Sequence, residues 1–118
     1  MSFEESLRRI TNNMEDSMGV ALVGMDGIVV EEHKRDPLLD LHSLGAEYCS
    51  VIKGLEKTSD SLSMGVMREL SVVAEKSTVL LKRINDEYFL LLVVGSDGNF
   101  GKGRFLMKKE LYHLEKEL

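Results

Sequence analysis

One cysteine, one proline and no long apolar run mark this chain by what it leaves out. Cys49 stands alone, so a disulfide framework and a cysteine-based zinc site are both excluded within one chain. No apolar run approaches the roughly 20 residues that a bilayer-spanning helix needs. Positive charge is in deficit, with 15 Lys and Arg against 20 Asp and Glu for a net charge of −5. That balance argues against a nucleic-acid or anionic-membrane surface, because phosphates attract Lys and Arg. The opening MSFEESLRRI is acidic and helical rather than a basic leader before an apolar segment, so no signal peptide is read there. Together these features predict a soluble cytoplasmic domain. The 118 residues fit one domain, 1–118. Such a domain buries roughly two-thirds of the surface its unfolded chain exposes, enough for a core without staples.

What is present is strong periodicity. Residues 2–15 read as a helix capped by Ser2, with Glu4 and Glu5 in its first turn, where the helix dipole favours acids. Phe3, Leu7, Ile10 and Met14 form its apolar stripe, and Glu5–Arg8 and Glu5–Arg9 are placed as surface pairs. Residues 18–32 read as a hairpin around Asp26-Gly27, a two-residue type I′ signal. Its first strand is apolar throughout, which predicts a central position. Its second ends in charges, which predicts a place nearer an edge. After Pro37, residues 38–62 read as a long helix. Leu41, Leu44, Tyr48, Val51, Ile52, Leu55 and Leu62 share one arc of it, flanked by Gly45 and Cys49, with Gly54 on the solvent side.

Three strands follow, over 66–75, 77–84 and 87–94, joined at Glu75-Lys76 and Asn85-Asp86. The first is half polar and reads as an edge. The last, from Glu87 to Val94, has no polar face and must be covered on both sides. A final helix starts near Asp97 to Asn99. Phe100, Gly103, Met107, Leu111, Leu114 and Leu118 line one side of it; Lys102, Lys108, Lys109, Glu110 and Glu117 line the other. The fold class is therefore α+β, in the order α-β-β-α-β-β-β-α. A five-stranded antiparallel sheet is expected, with the first and last helices on one face and the middle helix on the other.

Signals for chemistry are weak. The run from Gly95 to Gly103 invites a phosphate-loop reading. A Walker A loop needs four residues between Gly and Gly-Lys-Ser/Thr. Here five residues separate Gly95 from Gly101-Lys102, and Gly103 replaces the hydroxyl. A dinucleotide loop fails at Leu106 and needs a parallel sheet. The bland reading is a turn where Gly101 and Gly103 let helix and sheet approach. His33, His42 and His113 fall in three elements without metal-ligand spacing. Cys49 and His42 are two helical turns apart, too far for a catalytic dyad. No catalytic residue, metal or cofactor is expected.

The ordered set of elements resembles the Roadblock / dynein light chain family, which is related to longin domains. Three stretches carry the resemblance: GVALVGMDGIVVEE at 19–32, the strand trio at 66–94, and DGNFGKGRFLMKKEL at 97–111. In the last, Asn99, Phe100, Gly101 and Arg104 match the opening of the family's final helix. Pro37 and the first helix fit the prokaryotic branch. The resemblance implies a profilin/longin-like fold and a non-enzymatic homodimer whose third strands join two sheets into one. It also implies binding or regulation of a small Ras-like GTPase, as regulator or scaffold. By analogy it places Met67, Glu69, Ser71 and Val73 of the third strand at the dimer interface, with Gly45, Cys49 and Ile52 of the middle helix. A small-molecule-binding sensory domain is the alternative. An enzyme would need clustered, perturbed titratable groups.

Overall fold

The computed structural model describes residues 2–96 and 98–118. Eight elements follow one another: α1 (Phe3–Asn12), β1 (Ser17–Gly24), β2 (Val29–Lys34), α2 (Leu41–Ser61), β3 (Glu69–Val73), β4 (Ser77–Arg83), β5 (Tyr88–Gly95) and α3 (Phe100–Glu117). The five strands form one antiparallel sheet in the order β2-β1-β5-β4-β3. The apolar strands β1 and β5 lie inside it, and the charged β2 and half-polar β3 form its edges, as the patterning predicts. Period-2 alternation splits the interior strands between two cores. Leu80, Leu90 and Leu92 meet α1 and α3 on one face, while Leu81, Phe89 and Leu91 meet α2 on the other.

The helix ends are set by local chemistry. Ser2 Oγ accepts the amide hydrogen of Glu5, Asp40 that of Ser43, and Asn99 that of Lys102. The amide and hydroxyl of Ser43 hold the Asp40 carboxyl below its ordinary value. Asp97, placed by the sequence near the start of α3, lies outside the described residues. The β1–β2 connection is longer than a type I′ turn. Gly27 has φ +85°, but Asp26 does not share a positive φ, and its carboxylate accepts the amide hydrogen of Ile28. A register shift between Leu22 and Val23 absorbs the extra residues.

Close packing of α3 rests on Gly103. A Cβ there would lie 2.9 Å from Leu80 Cδ1 and 3.2 Å from Leu92 Cδ2. Gly101, expected to share that role, is exposed and approaches no strand. Glu110 departs further from expectation. It is 3% exposed and accepts two hydrogen bonds from Arg9, at 2.9 and 2.7 Å. Arg8 takes the surface role and pairs with Glu4. Burial works against ionisation of Glu110, yet Arg9, Ser6 and His113 outweigh it and hold the carboxyl below its usual range. This fork ties α1 to α3 over one face of the sheet.

Candidate interaction surface

The outer edge of β3 is bare among the described residues. Arg83 donates its amide hydrogen to the Arg68 carbonyl at 2.8 Å, and Ala74 donates to the Ser77 carbonyl at 2.9 Å. Backbone groups in an antiparallel ladder point alternately to the two sides. The even-numbered residues 68–74 thus face β4, and the N–H and C=O groups of Glu69, Ser71 and Val73 point away from it. Their side chains lie on the face shared with α3. Glu69 sits between two cations there, 2.7 Å from Arg104 and 3.6 Å from Lys82. Ser71 and Val73 are exposed, Val73 to 72%. Met67, just before the strand, packs partly against the opposite core.

The three expected residues of α2 are placed differently. A Cβ on Gly45 would press on Val23 at 3.2 Å, the Cys49 thiol donates to the Met25 carbonyl, and Ile52 is fully buried. All three pack against the chain's own sheet. The apolar arc of α2 is wider than the contact that the sheet offers. Leu41, Gly45, Cys49 and Ile52 occupy one half, because they fall within about 80° of each other at 100° per residue. Leu44, Tyr48, Val51 and Leu55 fall in the other half; Leu44 and Tyr48 still pack partly against the core, and Val51 and Leu55 turn away. Val51 is 44% exposed and Leu55 37%. Leu62, Met64 and Val66 continue this apolar strip through the connection into β3, each more than half exposed. Sequence reasoning placed Val51 and Leu55 in one arc with Ile52; the arc's width was the available sign that the sheet would not cover all of it.

Where β3 begins, a cavity of about 370 Å³ opens between β4 and the last turns of α3. Val66, Ile84 and Leu111 give it apolar walls; Arg68, Lys82 and Glu115 give it charge. The Lys82 side chain is 20% exposed, and its acidic neighbour Glu69 lies beyond hydrogen-bond distance. The histidines remain dispersed. His33 of β2 shares a hydrogen bond with Thr11, His42 starts α2 3.6 Å from Glu32, and His113 stacks edge-on with Tyr112 in α3.

No protein-family model matches the chain, and no curated protein matches it. Solved structures do. MglC from Myxococcus xanthus is 32% identical, with all of both chains covered and a TM-score of 0.72. Myxococcus xanthus MglB superposes with a TM-score of 0.86 at 15% identity, over 95% of this chain and 84% of that one. A Roadblock/LC7 domain from Streptomyces avermitilis reaches 0.76 at 13% identity, over 99% and 98%. The ladder order, the helices on both faces and the full-length identity to MglC agree: the chain belongs to the Roadblock / dynein light chain family, in its prokaryotic branch.

Proposed function

We propose that the chain forms a homodimer through the β3 edge and the outward half of α2, and that the dimer binds and regulates a small Ras-like GTPase. One observation carries the dimer: the β3 edge is bare, and the exposed apolar residues Leu62, Met64 and Val66 lead into it from the end of α2. Antiparallel pairing of two β3 edges would satisfy the outward groups of Glu69, Ser71 and Val73. Val51 and Leu55 lie in the part of α2 that approaches β4, where Glu56 pairs with Arg83, and would face toward the same seam. The GTPase role rests on family membership, together with a surface that offers apolar area and a strand edge but no clustered catalytic groups among the described residues.

Light scattering at micromolar concentration tests assembly, with a mass of two chains expected. Leu55→Asp is expected to give a folded monomer. A strict monomer for the unaltered chain overturns the dimer. Hydrolysis by a small Ras-like GTPase encoded beside this chain is then followed in single turnover, with and without the dimer. Absence of both complex formation and any change in rate overturns the regulatory role.

A further inference from the structure

The two faces of the β3 edge are covered unequally. On the α2 face, Leu70 and Val72 pack against the core. On the other face no helix of the described residues lies above Ser71 and Val73, because α3 is seated over β4 and β5. Arg104 reaches across, to Glu69. The side of α3 that looks onto this gap is set by helical spacing. Arg104, Lys108, Leu111 and Glu115 step by four, three and four residues. Leu111 and Glu115 of that row already line the cavity with Val66, Arg68 and Lys82. The cavity is therefore the closed end of a longer open channel between α3 and the strand edge.

Antiparallel pairing of two β3 strands places a two-fold axis normal to the sheet, which keeps like faces on the same side. Both α3 helices would then flank one channel. Counted in strand spacings from the axis, β3 lies at one half, β4 at one and a half, and α3 at about two. With strands about 4.8 Å apart, the two α3 axes stand roughly 19 Å from each other. Packed helices lie about 8–10 Å apart. The gap equals two such distances, so it admits one further helix in contact with both walls.

We propose that this channel is the docking site for a single acidic amphipathic helix of a partner protein, one per dimer. The inference rests on the dimer reading above. Ser71 and Val73 of both copies form the floor and ask for an apolar or small-residue face. Each wall carries Arg104 and Lys108, with Arg68 and Lys82 at its end, against Glu69 and Glu115. The channel is thus locally positive in a chain whose net charge is −5. Farther out, α1 lies over β1 and β2 and exposes Glu4 and Glu5, Glu4 paired with Arg8, with Glu15 and Asp16 just beyond it. A positive channel one helix wide attracts a narrow anionic element. A flat anionic membrane would meet the acids at the same time, and a nucleic-acid backbone would meet the charge of the whole dimer.

The probe is a synthetic fluorescent helix of about 20 residues with leucines at i, i+4, i+7 and i+11 and glutamates on both flanks. Its twin carries lysines in place of the glutamates. Anisotropy and light scattering are read on the full chain. The acidic helix is expected to saturate at one per two chains, and the lysine twin to bind at least tenfold more weakly. Lys108→Glu should weaken the acidic helix at least tenfold while the protein stays dimeric. Lys102→Glu makes the same charge change on the other flank of α3 and should leave affinity within twofold. Equal losses for the two variants, one peptide per chain, or a dimer that binds neither peptide overturns the proposal. So does binding to phosphatidylserine–phosphatidylcholine vesicles without binding to the acidic helix. A monomeric chain removes the dimer reading first and this one with it; a dimer without peptide binding removes this one alone.

Discussion

The Arg9–Glu110 fork gives an unequal pair of mutational costs. Glu110 is 3% exposed, whereas the Arg9 side chain is 37% exposed. Arg9→Met strands a carboxylate in the core, with Ser6 and His113 as its remaining help. Leaving a buried charge unpaired costs about 3–5 kcal/mol. Glu110→Gln removes the carboxylate from a guanidinium that keeps its bond to Ser6 and is open to water. After discounting for that exposure, the loss is about 1–2 kcal/mol. The pH dependences differ as well. Arg9 holds the Glu110 carboxyl below its ordinary value, so the stability it lends is present above that value and is lost as pH falls through the native one. Burial is already the largest single influence on Glu110, and without Arg9 only Ser6 and His113 oppose it, so the carboxyl is pushed upward. The native state of Arg9→Met then takes up a proton more readily than the unfolded state, and its deficit against the unaltered protein shrinks between pH 7 and pH 5. Urea unfolding followed by circular dichroism, at fixed protein concentration, measures both quantities. Equal costs for the two variants, or a deficit for Arg9→Met that stays constant with pH, would refute the reasoning.

Three further outcomes follow from placement. Gly54→Ala, mid-helix with nothing within 4 Å of the new Cβ, should stabilise by about 1 kcal/mol, while Gly103→Ala should destabilise by about 1 kcal/mol because contact with Leu80 outweighs the gain in helix propensity; thermal unfolding of the pair checks the sign of each. Gly27→Ala, at φ +85°, should cost about 1–2 kcal/mol in the same assay. Ile52→Ala should cost about 2–5 kcal/mol of chain stability. Its neighbour Val51→Lys should leave protomer stability nearly unchanged and lower the mass seen by light scattering, and a reversal of that order would disprove the assignment of the two halves of α2.

Much of this architecture is legible in the sequence because each interior strand lacks a polar side and each helix carries an apolar stripe. Edge and centre were readable from charge: Glu31, Glu32 and Lys34 mark β2, and Arg68 and Glu69 mark β3. Helix starts were readable wherever the cap is a near neighbour, as at Ser2. What escaped depends on distance along the chain. Glu110 reads as one more charge on a solvated helix, since nothing local announces Arg9, 101 residues away. The split of α2 escaped for a different reason. Periodicity shows which residues are apolar together, but not how much of that arc the sheet will cover. Leu55 and Ile52 look equivalent on the helix and differ only in what lies opposite them. Gly45 and Cys49 were placed at an interface by analogy with the family. Their close approach is instead to Val23 and to the Met25 carbonyl.

The asymmetry of the two sheet edges limits how large an assembly can grow. Strand-to-strand addition propagates when both borders of a sheet accept a neighbour, and fibres result. Here β2 puts Glu31, Glu32 and Lys34 along its border, so a second copy arriving there would bring like charges face to face. Only β3 is open to extension. Joining two such borders consumes both, and the product offers no further place to add a strand. Growth through the proposed β3 pairing would therefore end after a single step, with the charges on the far edge keeping further copies from adding.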